Sequence, residues 1–237
     1  GLGVWIAPRW GIVGVAVATA ISRTVEAVTL TISIAAGWTP LSLARPRSLT
    51  ITRQLVAVSI PSFAEGMSTS VANFPFNALL LVFGTEANAA FHIGRRIYQQ
   101  LTGPLYRSFS TVSSIMVGQA LGEGDAVEAR YIATVILAIS VLTLSVVGGV
   151  LVAGAEQLVA VFTGDPTTRG HAIAFTRAFG VSMVFFGIFF PLAGALRGAG
   201  DTRTPFHARL IGAFGVMLGG SYLLGIVLGH GLAGVYL

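Results

Sequence analysis

The sequence predicts an all-α, polytopic integral membrane helix bundle of six spans plus a truncated seventh, on three observations. Mean hydropathy is +0.82. Of the 237 residues 54% are hydrophobic and only 10% charged, against roughly 25% charged in a soluble domain, so this composition cannot cover a water-facing surface. Apolar runs of about 20 residues, the length a helix needs to cross the hydrocarbon core, recur along the whole chain between short glycine- and charge-bearing turns.

The spans follow in order as 12–36, 54–83, 89–120, 127–162, 171–196 and 206–228, with a seventh opening after Gly229-His230-Gly231 and cut at Leu237. The first carries Arg23 and Glu26 three residues apart, neighbours on a helix that neutralise each other. The third is long and polar for a span. Pro61, Pro75, Pro104 and Pro191 lie inside or near the starts of spans. Each removes a backbone hydrogen bond and bends its helix, which lipid tolerates where neighbours satisfy the freed carbonyls. The one long connection, 38–53, is polar, contains proline and carries Arg45, Arg47 and Arg53. The positive-inside rule sets it in the cytoplasm. Alternation then brings 122–130 and 198–207 to the same side with Arg130, Arg197, Arg203 and Arg209, and leaves Arg9, Arg95, Arg96, Arg169 and Arg177 on or near the other.

Charge and cysteine usage exclude several classes. The net charge of +5 comes from 14 basic residues, all arginine, against 9 acids. They are scattered among apolar segments with no basic run and no aromatic-interleaved stripe, so no nucleic-acid partner is expected. Cysteine is absent, which removes disulfides and thiolate metal sites. Paired catalytic carboxylates and His–Glu metal spacing are missing. The glycine-rich stretch 118–124 lacks the Lys-Ser/Thr of a nucleotide loop. The expectation is a protein that is not an enzyme, has no cofactor or metal, and draws any work it does from an ion gradient.

The start and end of the chain resemble each other. Gly11-Ile-Val-Gly14-Val15 parallels Gly231-Leu-Ala-Gly234-Val235, and six spans fill the interval, as in a transporter built from two six-helix repeats.

Four stretches in order resemble the multidrug and toxic compound extrusion (MATE) family. They are Gly11 to Arg23, similar to the opening of its sixth helix; Ala89-Ala-Phe-His-Ile93 with Arg96, similar to the start of its eighth; Val117-Gly-Gln-Ala-Leu-Gly-Glu-Gly-Asp125 with Glu128 and Arg130; and Leu196-Arg-Gly-Ala-Gly-Asp-Thr-Arg-Thr-Pro205. The last two resemble its eighth-to-ninth and tenth-to-eleventh loops. The resemblance implies twelve helices in two lobes forming an inverted V, in the plasma membrane. It implies export of organic cations or amphiphilic toxic compounds in exchange for protons or sodium ions. On it, residues 1–37 are the last helix of the first lobe, 38–53 the cytoplasmic inter-lobe linker and 54–237 the second lobe with its last helix truncated. The partners implied are a small-molecule substrate, a proton or sodium ion, membrane lipid and the first lobe of the same polypeptide. A lipid-linked oligosaccharide flippase of the same superfamily and a non-transporting half-gene membrane protein are the alternative readings.

The loop residues have a physical reading of their own. Gly118, Gly122 and Gly124 let the chain turn after a long helix, beside Gln119. Asp125 caps the next helix. Around Arg197, Gly198 and Gly200, Asp201 and Thr202 do the same before Pro205. These residues are expected to be structural and topogenic.

Ionisable groups inside a span are costly and therefore functional candidates. Glu65 leads them, followed at four-residue steps by Thr69, Asn73 and Asn77, which puts all four on one helix face expected to point into a cavity. Either Glu65 binds the coupling ion or substrate, or it is tied into a helix–helix network. Some members of the family that the chain resembles use a glutamate of this helix about a turn deeper, near where Thr69 stands here, and some a tenth-helix aspartate; span 171–196 has no acid. A second polar face is expected on span 89–120: His92, Arg95 or Arg96, Gln99, Gly103, Tyr106, Ser110 and Ser113. His92 is either a relay residue or an interfacial one. Arg95 and Arg96 are expected to snorkel or to pair with a carboxylate.

Overall fold

The computed structural model describes residues 2–38 and 49–236. The chain falls into two compact units, Gly1–Arg53 and Gln54–Leu237. The linker expected over 38–53, with Arg45 and Arg47, lies mostly outside the described residues.

The first unit is dominated by α1 (Leu2–Ala35). Three of its hydroxyls turn back on their own helix: Thr24, Thr31 and Ser33 donate to the carbonyls of Ala20, Ala27 and Thr29, which satisfies those three donors in an apolar surround. Arg23 and Glu26 pair at 2.7 Å with both side chains exposed. α1 stops at Gly37 (φ +71°). There the Trp38 amide donates to Ser33 and the Gly37 amide to Ile34, a Schellman closure that satisfies two terminal carbonyls.

The second unit contains α2 (Leu49–Val82, from residue 54 on), α3 (Thr85–Gly122), α4 (Ala126–Ala153), α5 (Ala155–Ala160), α6 (Pro166–Gly198), α7 (Arg203–Leu210) and α8 (Gly231–Tyr236). Beyond α7 the helix continues in π form over Ile211–Gly220 and Leu223–Val227. α6 is the centre, packed on both α3 and α4. Its glycines set the spacing. A Cβ on Gly194 or Gly198 would strike the carbonyl oxygens of Ser110 and Ser114 on α3. A Cβ on Gly187 would come within 2.9 Å of the Val141 backbone on α4, and one on Gly180 within 2.8 Å of Val152. Helices without an intervening side-chain layer gain close dispersion contact, the usual source of association in lipid. Aromatic rings fill the remaining levels: Tyr98 stacks on Phe179 with centroids 3.4 Å apart, and Tyr106 on Phe190 at 4.2 Å. The opposite faces carry bare apolar side chains, Leu142, Val150 and Phe185 among them.

Two connections are built alike. α3 ends in a Schellman closure at Gly124 (φ +84°), with the Asp125 amide donating to Ala120 and the Gly124 amide to Leu121. Asp125 then caps α4, accepting from the Val127 and Glu128 amides at 3.0 and 2.8 Å. α6 repeats this at Gly200 (φ +85°), with Asp201 donating to Leu196 and Gly200 to Arg197. Asp201 accepts from the Arg203 and Thr204 amides, both at 3.0 Å, and from the Thr204 hydroxyl. These bonds, the Thr204 hydroxyl foremost, hold the Asp201 carboxyl below its ordinary range. A Gly-Asp pair thus closes one helix and opens the next.

Three expectations are corrected. Gly118 and Gly122 lie within α3 and make no turn; Gly118 instead faces Gly198, its would-be Cβ 3.3 Å from the Gly198 oxygen. Span 127–162 is not one helix, because α4 ends at Gly154 and the short α5 follows. Span 206–228 is helical but slips into π turns across a glycine-rich stretch, where backbone preference for the α ladder is weakest. Among the described residues five helices are long and apolar enough to cross a membrane by length and composition, and α3 is the remaining long helix. It has 38 residues and carries Arg95, Arg96, Gln99, Gln100 and Arg107, which lower its hydropathy.

Candidate functional site

α2 crosses the second unit with a single acid, Glu65, on the face that packs inward. Phe76 and Leu80, further along that face, join Phe91 of α3, Phe175 of α6 and Val235 of α8 in one apolar cluster, which anchors the rotation of the helix. Glu65, Thr69, Asn73 and Asn77 accordingly share a side, but they meet different neighbours.

At the Glu65 end the carboxylate is 8% exposed and is held by Arg197, whose Nη2 donates to both oxygens at 2.8 and 2.7 Å. Arg197 stands in the last turn of α6, where the helix dipole favours a cation. Its Nη1 also donates to the Ser110 hydroxyl of α3 at 3.2 Å. Arg209 approaches from α7, its Nε 3.7 Å from Glu65 Oε1. That is ion-pair range but beyond a hydrogen bond, and this buried Nε has no hydrogen-bond partner among the described residues. The Arg209 guanidinium lies over Phe189 and Phe190 at 5.3 and 5.5 Å from the ring centres. One carboxylate therefore serves two guanidiniums on two helices. Sequence reasoning read Arg197 as a loop-motif residue and missed this contact, since the partners are 132 positions apart.

One turn on from Glu65 the Thr69 hydroxyl, and at the far end of the face the Asn77 side-chain oxygen, are buried without a hydrogen-bond partner among the described residues. Between them Asn73 accepts from Arg95 Nη1 at 3.2 Å, and Arg95 lies 5.9 Å over Phe91. A polar cavity of about 360 Å³ opens there, lined by His92, Arg95, Arg96, Gln99 and Gln100. Neither this cavity nor the apolar cleft of about 260 Å³ beside Phe189, Pro205 and Ala208 has Glu65, Thr69, Asn73 or Asn77 on its wall.

The expected α3 face therefore divides. His92, Arg96 and Gln99 are exposed, while Gly103, Tyr106, Ser110 and Ser113 are buried. Ser113 donates to the Pro191 carbonyl of α6 at 2.8 Å. Small polar residues on the second half let α6 approach, and the helical drift of 3- and 4-residue steps carries the first half away from it. Of the two expectations for Arg95, snorkelling or a carboxylate partner, the second is not met: its partner is the Asn73 amide oxygen. The other loop-motif residues are structural in position: the Gln119 carbonyl accepts from the Glu123 amide at 3.0 Å, and Pro205 is fully buried. Among the described residues no cluster of three or more metal-ligating side chains occurs.

The pattern of the MatE family matches residues 61–223, which takes in Glu65, Arg197, Arg209 and the basic cavity. The chain is 29% identical to the multidrug resistance protein NorM of Burkholderia vietnamiensis, across 99% of this chain and 52% of that protein. It is 25% identical to the uncharacterized transporter YisQ of Bacillus subtilis, across 97% of this chain and 51% of the relative. It thus spans about half the length of the curated relatives it matches. Among solved structures, MATE in the straight conformation superposes with a TM-score of 0.90 at 20% identity, over all of this chain and 55% of that one. A MOP superfamily transporter from Pyrococcus furiosus, described as having a binding pocket of reverse polarity, superposes at 0.72 and 18% identity over 77% of this chain and 40% of its own. Both likenesses are likenesses of fold.

Proposed function

The chain belongs to the MatE family, multi-pass proteins of the plasma membrane, and from that premise we propose that it is part of a secondary antiporter. The antiporter exports organic cations or amphiphilic toxic compounds in exchange for protons or sodium ions, and Glu65 is the coupling residue. The observation that carries the reading is the buried Glu65 carboxylate shared between Arg197 and Arg209. A proton or a sodium ion arriving at Glu65 cancels the charge that holds α6 and α7 to α2. Both guanidiniums must then find other acceptors, Ser110 being within reach of Arg197 already. Loss of the ion restores the pair. Two arrangements of one charge network, biased by an ion, are what alternating access requires.

The test is Glu65→Gln in the intact protein in proteoliposomes, with efflux of ethidium followed under an imposed proton or sodium gradient. The expected result is a loss of gradient-driven efflux of at least ~10-fold, the scale of a coupling free energy of 1–3 kcal/mol. Removing one partner of a buried pair costs about 3–5 kcal/mol, so the double variant Glu65→Gln, Arg197→Gln is run beside it to recover folding without recovering coupling. Efflux that keeps its rate and its gradient dependence in folded Glu65→Gln removes Glu65 from the mechanism.

A further inference from the structure

The first half of α3 carries a concentration of positive charge that the antiport reading leaves unused. His92, Arg95, Arg96, Gln99 and Gln100 line one cavity of about 360 Å³, a volume within the range of small-molecule sites, roughly 300–1,000 Å³. Every one of these side chains can donate hydrogen bonds, and none brings a negative charge. The ion pairs of the second unit join Glu65 to Arg197 and Arg209, and Glu156 to Arg177. Among the described residues no carboxylate lies within ion-pair reach of Arg95 or Arg96. Arg95 is also held in place: Asn73 accepts from its Nη1 at 3.2 Å, and the Phe91 ring lies 5.9 Å beneath its guanidinium. A planar fork fixed in orientation, beside a second, exposed fork and two amides, matches an oxyanion in charge, geometry and hydrogen-bond sense. Two adjacent cations at a membrane-embedded surface are costly without a counter-charge.

We propose that this cavity is an anion-binding site, taking the carboxylate, phosphate or sulfonate group of an amphiphile. Arg95 and Arg96 supply the charge, and Gln99 and Gln100 the neutral donors. The site is separate from Glu65 and does not rest on the coupling reading. It widens the cargo from cations to molecules bearing an acidic group, or else seats an anionic lipid headgroup.

The experiment is equilibrium binding of 5(6)-carboxyfluorescein, followed by anisotropy, to the intact purified protein, with rhodamine 6G as the cationic comparison. Arg96→Gln is the first variant, because Arg96 is exposed and none of the contacts that hold Arg95 is its own. Gln99→Glu is the second, placing a negative charge in the cavity without truncating a guanidinium. Both are expected to weaken the anionic dye about 10-fold and to leave the cationic dye and the melting temperature unchanged. Phosphatidylglycerol, but not phosphatidylcholine, displacing the dye from the parent identifies a lipid headgroup as the source of the anion. Displacement by soluble carboxylates alone identifies the cargo. Either outcome supports the site. Anionic dye that does not bind the parent, or that binds parent and both variants equally, overturns it; an unchanged response to Glu65→Gln does not.

Discussion

Glu65 is conspicuous in the sequence because it is the one acid in an otherwise uncharged apolar run after Pro61. Its partners are not. Arg197 and Arg209 sit in the last turns of α6 and α7, where arginine has an ordinary use beside the helix dipole, and only the fold turns both toward the carboxylate. Asp201 is the opposite case, because its role as a cap is local and was legible from Asp-Thr before Pro205. It also carries a pH dependence with a defined sign. Its carboxyl is held below the ordinary value of 3.8 by the Thr204 hydroxyl first and the Thr204 and Arg203 amides after it. A depressed folded-state value means that the stabilisation is fully present above the ordinary carboxylate range and is lost as pH falls through the depressed value. Asp201→Ala is therefore expected to melt below the parent at pH 7, and the gap should close as the buffer is taken down past the ordinary value. A gap that is the same at pH 7 and pH 3 would mean the cap works without its charge.

At the scale of the element, α3 and α6 show what periodicity resolves and what it leaves out. Residue spacing marked a polar α3 face, but it could not divide that face into a cavity half and a buried half, since the division depends on which neighbour approaches. The glycines of α6 decide it. Gly194 stands against the Ser110 backbone with no room for a methyl group. Gly194→Ala is expected to cost about 1–3 kcal/mol through overpacking and to lower the melting temperature of the purified protein. Gly149, exposed on α4 with nothing near its would-be Cβ, is the matched control. Gly149→Ala is expected to be neutral or to stabilise by about 0.5–1 kcal/mol, since alanine is the better helix former. Equal losses at the two positions would show that the close approach of α3 and α6 contributes little. The π turns after α7 were not legible either, because hydropathy reports that a segment is apolar and helical without reporting which carbonyl each amide reaches.

At the scale of the molecule, composition alone identified a membrane bundle, and α3 is the least apolar of its long helices because it carries Arg95, Arg96, Gln99, Gln100 and Arg107. Sidedness was read from arginine positions and has a direct check. The chain has no cysteine, so single cysteines report cleanly. Glu123→Cys, after α3, is expected to react with a membrane-impermeant maleimide only once cells are permeabilised, and Gly164→Cys, before α6, to react in intact cells. The reverse pattern would invert the orientation. The glycine contacts have a mechanical consequence as well. With backbone resting on backbone from Ser110–Gly194 to Ser114–Gly198, and stacked rings at Tyr98–Phe179 and Tyr106–Phe190, α3 and α6 are braced along their length as one joist. The basic cavity lies toward one end of that joist and the grip of Arg197 on Glu65 toward the other. A load at one end is expected to reach the other as displacement, because close-packed rings and backbone give little. The compliance lies in the slack winding of Ile211–Gly220 and Leu223–Val227, which can gain or give back a fraction of a turn while the joist stays straight.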